Sequence, residues 1–195
     1  MAVVWVIVVV VLILAVAVVL CWPLIQRQRL RRRFGAEYDR AVADHADRRS
    51  AERELKDRER RHSQLELREL PAERKRHFAD EWAGVQEQFI DNPDEAVHAA
   101  DRLVTEVMAE RGYPTTDYDQ QVADLSVEHG GVLDNYRNAH AIALRHDGAS
   151  TEDMRTALVH YRALFAELLD GNSHDAQRGD KHATGSENHK KDVLP

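Results

Sequence analysis

The chain opens with "AVVWVIVVVVLILAVAVVLCWPLI", residues 2–25, which carries no charged side chain. At about 1.5 Å per helical residue this stretch reaches about 36 Å, more than the roughly 30 Å of a hydrocarbon core. In lipid the backbone must satisfy its own hydrogen bonds, so even a valine-rich segment is expected to be helical. Trp5 and Trp22 stand near its two ends, where amphipathic rings favour the interface. Residues 1–26 are therefore predicted to be an uncleaved transmembrane anchor. A signal peptide would need a basic residue ahead of the apolar run and a small-x-small cleavage site. Here the first basic residue is Arg27, and "LCWPL" offers no such site.

Residues 34–70 have a different pattern. Acid-before-base pairs recur at four-residue spacing: Asp44 with Arg48, Glu52 with Lys56, Glu54 with Arg58, Asp57 with Arg61. Such pairs each stabilise a helix by a few tenths of a kcal/mol, and Ala, Glu, Arg and Leu favour helix. Phe34, Tyr38, Ala41 and His45 share one face, as do Leu55 and His62, but the stripe is thin for a coiled coil. A basic juxtamembrane segment leading into a long charged helical stalk is predicted over 27–70, the stalk serving as a solvated spacer or as a weakly self-associating coiled coil that would make a homo-oligomer.

From residue 71 amphipathic helices follow with clear punctuation. Phe78, Trp82, Val85 and Phe89 repeat at helical spacing after Pro71. Asn92, Pro93 and Glu95 read as an N-cap, a first helical residue and a reciprocal cap. Ala96, Val97, Ala100, Leu103, Val104, Val107 and Met108 are expected to be the buried face of the next helix, closed by Gly112 and Pro114. Thr116 or Asp117 caps a short third helix with Tyr118, Val122 and Leu125 inward. A fourth is expected to bury Val132, Leu133, Tyr136, Ala139, His140, Ala143 and Leu144. A fifth starts at a Ser150/Asp153 cap and ends at Gly171. No segment after residue 26 shows strand alternation, so the predicted class is all-α: an antiparallel helical bundle over 71–170 and a disordered tail over 171–195.

Charge then fixes an orientation. The net charge is −7, but it is unevenly spread: residues 27–78 hold 17 Lys/Arg against 11 Asp/Glu, and residues 79–195 hold 10 against 23. Arg27, Arg29, Arg31, Arg32 and Arg33 follow the apolar run directly. Basic residues beside a span stay on the cytoplasmic side. This predicts a single-pass protein with its N-terminus outside and its C-terminal domain in the cytoplasm. The same arginines are placed to touch anionic headgroups. A nucleic-acid partner is not expected, because the foldable part is acidic and no aromatic interleaving accompanies the arginines.

Candidate chemistry is sparse. The single cysteine, Cys21, excludes a disulfide framework. Glu59/His62 and Glu95/His98 have the spacing of di-metal bundle ligands, but one pair lies in the charged stretch and Glu95 reads as a cap, so no metal or cofactor is expected. His174, His182 and His189 sit in the tail. His140 and His160 lie on or beside apolar faces, near Tyr136 and Asp134, and these four define a candidate polar site. No phosphate loop, zinc-protease motif or nucleophile elbow is present.

"RFGAEYDRAV", "ERGYP", "DYDQQVADLSVEH", "YRNAHAIA" and "STEDMRTALVHYRALFAELL" together resemble a family of bacterial membrane-anchored helical proteins, usually described as hypothetical or secreted. The resemblance spans about residues 33–169. It implies a bacterial origin and a single N-terminal anchor, and carries no activity, cofactor or catalytic residue. The expected function is a membrane-tethered cytoplasmic module that binds a protein partner. The alternatives are a small enzyme using His140 and His160 with acidic neighbours, or a membrane-surface sensor acting through the arginines.

Overall fold

The computed structural model describes residues 25–145 and 148–171, together with Trp5, Leu12 and Trp22. Among these residues every regular element is an α-helix. No helix among them is long and apolar enough to cross a membrane. The anchor expected over 1–26 lies almost wholly outside the described residues, as does the tail after Gly171. Trp5, Leu12 and Trp22 are helical and exposed.

The chain divides into two compact units. The first contains helix α1 (residues 25–34), α2 (Ala36–Asp44), α3 (Arg48–His62) and the later segment 123–131. The stretch expected as one long stalk is thus broken twice. Gly35 interrupts it at φ 54°, a conformation that side-chain-bearing residues rarely adopt. The second break is at His45, where the backbone turns extended. Asp47 then caps α3, its carboxylate accepting from the Ser50 backbone N–H at 2.9 Å.

These breaks let the charged stretch fold back on itself. Tyr38 donates to Glu52 at 2.8 Å, and Arg29 and Arg33 reach Glu59 at 3.3 and 3.4 Å. The paired numbers fall as α3 advances, so α3 runs antiparallel to α1 and α2. Leu30, Phe34, Tyr38, Ala41, Ala51, Leu55 and Val127 form a core between them, each 5 % exposed or less. The stripe that looked too thin for a coiled coil is completed within the chain: Leu30 extends it, and Val127 arrives from 65 or more residues further on.

The second unit comprises residues 65–122 and 132–171 of the described chain. It holds α4 (Ala72–Asp91), α5 (Pro93–Arg111), the first residues of α6 (Tyr118–Leu125), α7 (Leu133–Ala143) and α8 (Thr151–Asp170). α5 is central, packed on α4, α7 and α8. Its seven expected core residues are all buried. Trp82 of α4 stacks on Phe165 of α8 with centroids 4.8 Å apart. The Ser150/Asp153 capping box is complete. Asn92 accepts from the Glu95 N–H, but the Glu95 carboxylate turns to Arg102 at 2.9 Å, because the Asn92 N–H is already bonded to Gln88 O at the end of α4. On α7 the inward residue is Ile142, and Leu144, expected inside, is 58 % exposed beyond the end of the helix.

Candidate functional site

Four of the five arginines after the leader are engaged within the first unit. Arg27 lies close enough to the Tyr38 hydroxyl to influence its ionisation. Arg29 and Arg33 share Glu59, and Arg31 meets Asp39 at 3.4 Å. Arg32 is exposed. Burial and the Glu52 carboxylate raise the Tyr38 pKa against the opposing pull of Arg27. The arginines therefore have a structural role, Arg29 and Arg33 in fastening α1 to α3 and Arg31 in linking α1 to α2.

The segment 123–131 enters this unit beside the end of α3. Arg58 donates to Ser126 Oγ at 3.5 Å, and His62 Nε2 stands 3.8 Å from Glu128 Oε1. His62 is 6 % exposed. Burial lowers its pKa, Glu128 and Asp124 oppose that shift, and Arg33 and His129 add to it.

In the second unit the expected polar site is partly assembled. Asp101 of α5 is its centre: Tyr161 of α8 donates to Oδ1 at 2.8 Å, and His140 of α7 places Nδ1 3.2 Å from the same oxygen. Tyr118 stacks on the His140 ring at 4.0 Å and 11°. Tyr136 packs edge-on to Tyr161 and donates to Gln121 Oε1 at 3.1 Å. Gln121 in turn donates to Thr115 O at 2.9 Å. Burial raises the Asp101 pKa, but the bonds from His140 and Tyr161 outweigh it and hold the carboxyl below its ordinary range. Burial, then Asp101, pushes the Tyr161 hydroxyl far upward.

Of the four residues singled out in the sequence, Tyr136 and His140 join this cluster. Asp134 pairs with Arg137 at 3.1 Å near the start of α7, and His160, although next to Tyr161 in sequence, has its Nδ1 buried without a hydrogen-bond partner. Neighbours on a helix point about 100° apart, so adjacency to Tyr161 does not by itself bring His160 to Asp101. Asp101, Tyr118, Gln121 and Tyr161 were missed as site residues. The available signal was an acid adjoining the apolar face of α5, next to Ala100.

Chemically, a carboxylate on Nδ1 leaves Nε2 of a neutral imidazole as the basic nitrogen, the orientation a general base requires. The same bonds also satisfy the buried Tyr161 hydroxyl and the partly buried Asp101 and His140, which is what a polar core network requires. Among the described residues no group of three or more His, Cys, Asp or Glu is arranged to hold a metal. An open groove of about 690 Å³ lies between Leu70, Arg74, Phe78 and Glu110. Its Arg74 is neutralised by both oxygens of Glu110, at 2.7 and 2.5 Å, and covers the Phe78 ring at 4.7 Å.

No protein-family model, curated protein or solved structure matches the chain.

Proposed function

We propose that this protein is a membrane-tethered helical interaction module, held in a bacterial cytoplasmic membrane by residues 1–26 with the N-terminus outside. The observation that carries the reading is the division of charge between the two units. The first has 13 Lys/Arg against 10 Asp/Glu, a net of +3, and adjoins the uncharged leader; the second has 14 against 24, a net of −10. A basic unit suits an anionic membrane face. An acidic unit is repelled by that face and is left to meet a basic protein partner. The resemblance to membrane-anchored bacterial proteins supports the same reading.

Two experiments test it. A C-terminal fusion to alkaline phosphatase or to a fluorescent protein reads the topology. Fluorescence without phosphatase activity is expected, and the reverse would overturn the orientation. Crosslinking in intact cells followed by purification in mild detergent tests the module. The expected result is a reproducible basic partner whose recovery falls with added salt; recovery of no reproducible partner would sink the interaction reading.

A second reading, a small enzyme, is favoured by the Asp101–His140 bond and disfavoured by the separation of His160 and Asp134 from it. It predicts turnover of some substrate that His140→Gln abolishes while the thermal transition stays near that of the parent.

A further inference from the structure

We infer that the end of the first unit nearest the leader is a two-helix contact surface for anionic lipid, to which Arg60 and Arg61 of α3 contribute as much as the arginines that follow the leader. This inference rests on the anchor proposed above and adds a site to it.

Its basis is the register of the hairpin. Arg29 is three residues past the uncharged leader, about 4.5 Å along a helix axis. Glu59 touches both Arg29 and Arg33, so the last turn of α3 begins beside residues 29–33 of α1 and runs on toward the start of α1. Arg60 and Arg61 come immediately after Glu59 and are exposed, with the Arg60 side chain at 70 %. Arg29 is 67 % exposed, and Arg32 is exposed as well. Two stretches of sequence 30 residues apart thus bring arginines to one end of the hairpin. Glu59 and Asp57 touch this set, and Glu128 and Asp124 stand near His62 at the same end; the five arginines after the leader together with Arg60 and Arg61 outnumber them and leave this end positive.

The opposite end of the hairpin differs. Asp44 and Asp47 there offset Arg48 and Arg49. Charge complementarity therefore selects the end that the leader adjoins, and the occupant it selects is the phosphate layer of the bilayer. Guanidinium groups donate paired hydrogen bonds to phosphate oxygens, and each basic group near an anionic surface gains on the order of 1 kcal/mol.

The test uses the full chain in lipid nanodiscs, with Cys21→Ser and Gln64→Cys to carry an environment-sensitive fluorophore two residues past α3. Discs of phosphatidylcholine are compared with discs of phosphatidylcholine and phosphatidylglycerol. A blue shift of the label in the anionic discs is expected, reversed by added salt. Arg60→Gln with Arg61→Gln should abolish the shift, and Arg48→Gln with Arg49→Gln, the same charge change at the far end, should leave it. A chain that fails to stay with the discs overturns the anchor and this inference with it. A chain that stays, but whose label ignores phosphatidylglycerol or responds equally to both double variants, overturns the lipid contact alone. A shift produced by duplex nucleic acid and not by phosphatidylglycerol would also overturn it.

Discussion

Glu59 accepts from Arg29 at 3.3 Å and forms an ion pair with Arg33 at 3.4 Å, so one carboxylate on α3 serves two successive turns of α1. All three groups are partly solvated, and exposed ion pairs contribute about 0.2–1 kcal/mol. Glu59→Gln is expected to lower stability by about 1 kcal/mol or less, with the loss shrinking in high salt. Urea unfolding of the parent and variant at two ionic strengths measures it.

Leu55 should matter more. It is fully buried among Phe34, Tyr38 and Ala51 of the first unit's core. Leu55→Ala is expected to cost about 2–5 kcal/mol. Amide hydrogen exchange would show the loss as faster exchange across α1–α3. Unchanged protection there would mean the hairpin is not held by this core.

Asp101 links α5 to α7 and α8 through His140 and Tyr161. Its folded pKa is lowered, so its contribution is present above the unfolded value of about 4 and is lost as pH falls through the folded value. Asp101→Leu leaves the buried Tyr161 hydroxyl and the partly buried His140 ring without this acceptor, at a cost of about 1–3 kcal/mol for each such group, and should remove this acid-limb dependence. Thermal melts across acidic pH compare the two proteins.

His62 gives the first unit a second pH dependence, in a different window. Its folded pKa is lowered, chiefly by burial. The unfolded chain therefore binds the proton first, and stability falls as pH drops from about 6.5 toward the folded value. His62→Gln should flatten this slope. Exchange of the amides of residues 123–131, read at neutral and mildly acidic pH, locates the effect where Glu128 meets the end of α3.

Gly112 ends α5 at φ 97°, and a Cβ there would stand 2.6 Å from Glu66 O. Gly112→Ala meets both the left-handed penalty of about 1–2 kcal/mol and a backbone clash. A lower urea midpoint is expected, by more than Gly84→Ala, whose Cβ would meet nothing within 4 Å.

The legible parts of this fold are those where local signals agree. α5 and α8 carry a cap at one end, a glycine after the other and an apolar face, and both were readable in the sequence, α5 with its buried residues. The hairpin was not, because Phe34, Tyr38 and Ala41 complete a core only with Leu55 across a turn and Val127 from beyond α6. No period within one segment can reveal that. The polar site was half readable for a related reason. Tyr136 and His140 lie one helical turn apart and stay together, but Asp101 is 39 residues from His140 and is one of 34 acidic residues. His160 and Asp134 were grouped with them by proximity along the chain, which helix geometry does not respect.

The antiparallel register of α1 and α3 has a mechanical consequence. The chain enters this hairpin near Arg27 and leaves it near Gln64 at the same end, so tension between the leader and the second unit loads the two helices in an unzipping geometry. Contacts then break in succession, starting with Arg29 and Glu59, and not all at once as they would in shear. Fully drawn out, residues 27–64 would span about 130 Å at roughly 3.4 Å per residue. Folded, the hairpin keeps its entry and exit close together. Optical-tweezer extension of the full chain, pulled between those two points, should show a low-force lengthening that Leu55→Ala shifts to still lower force.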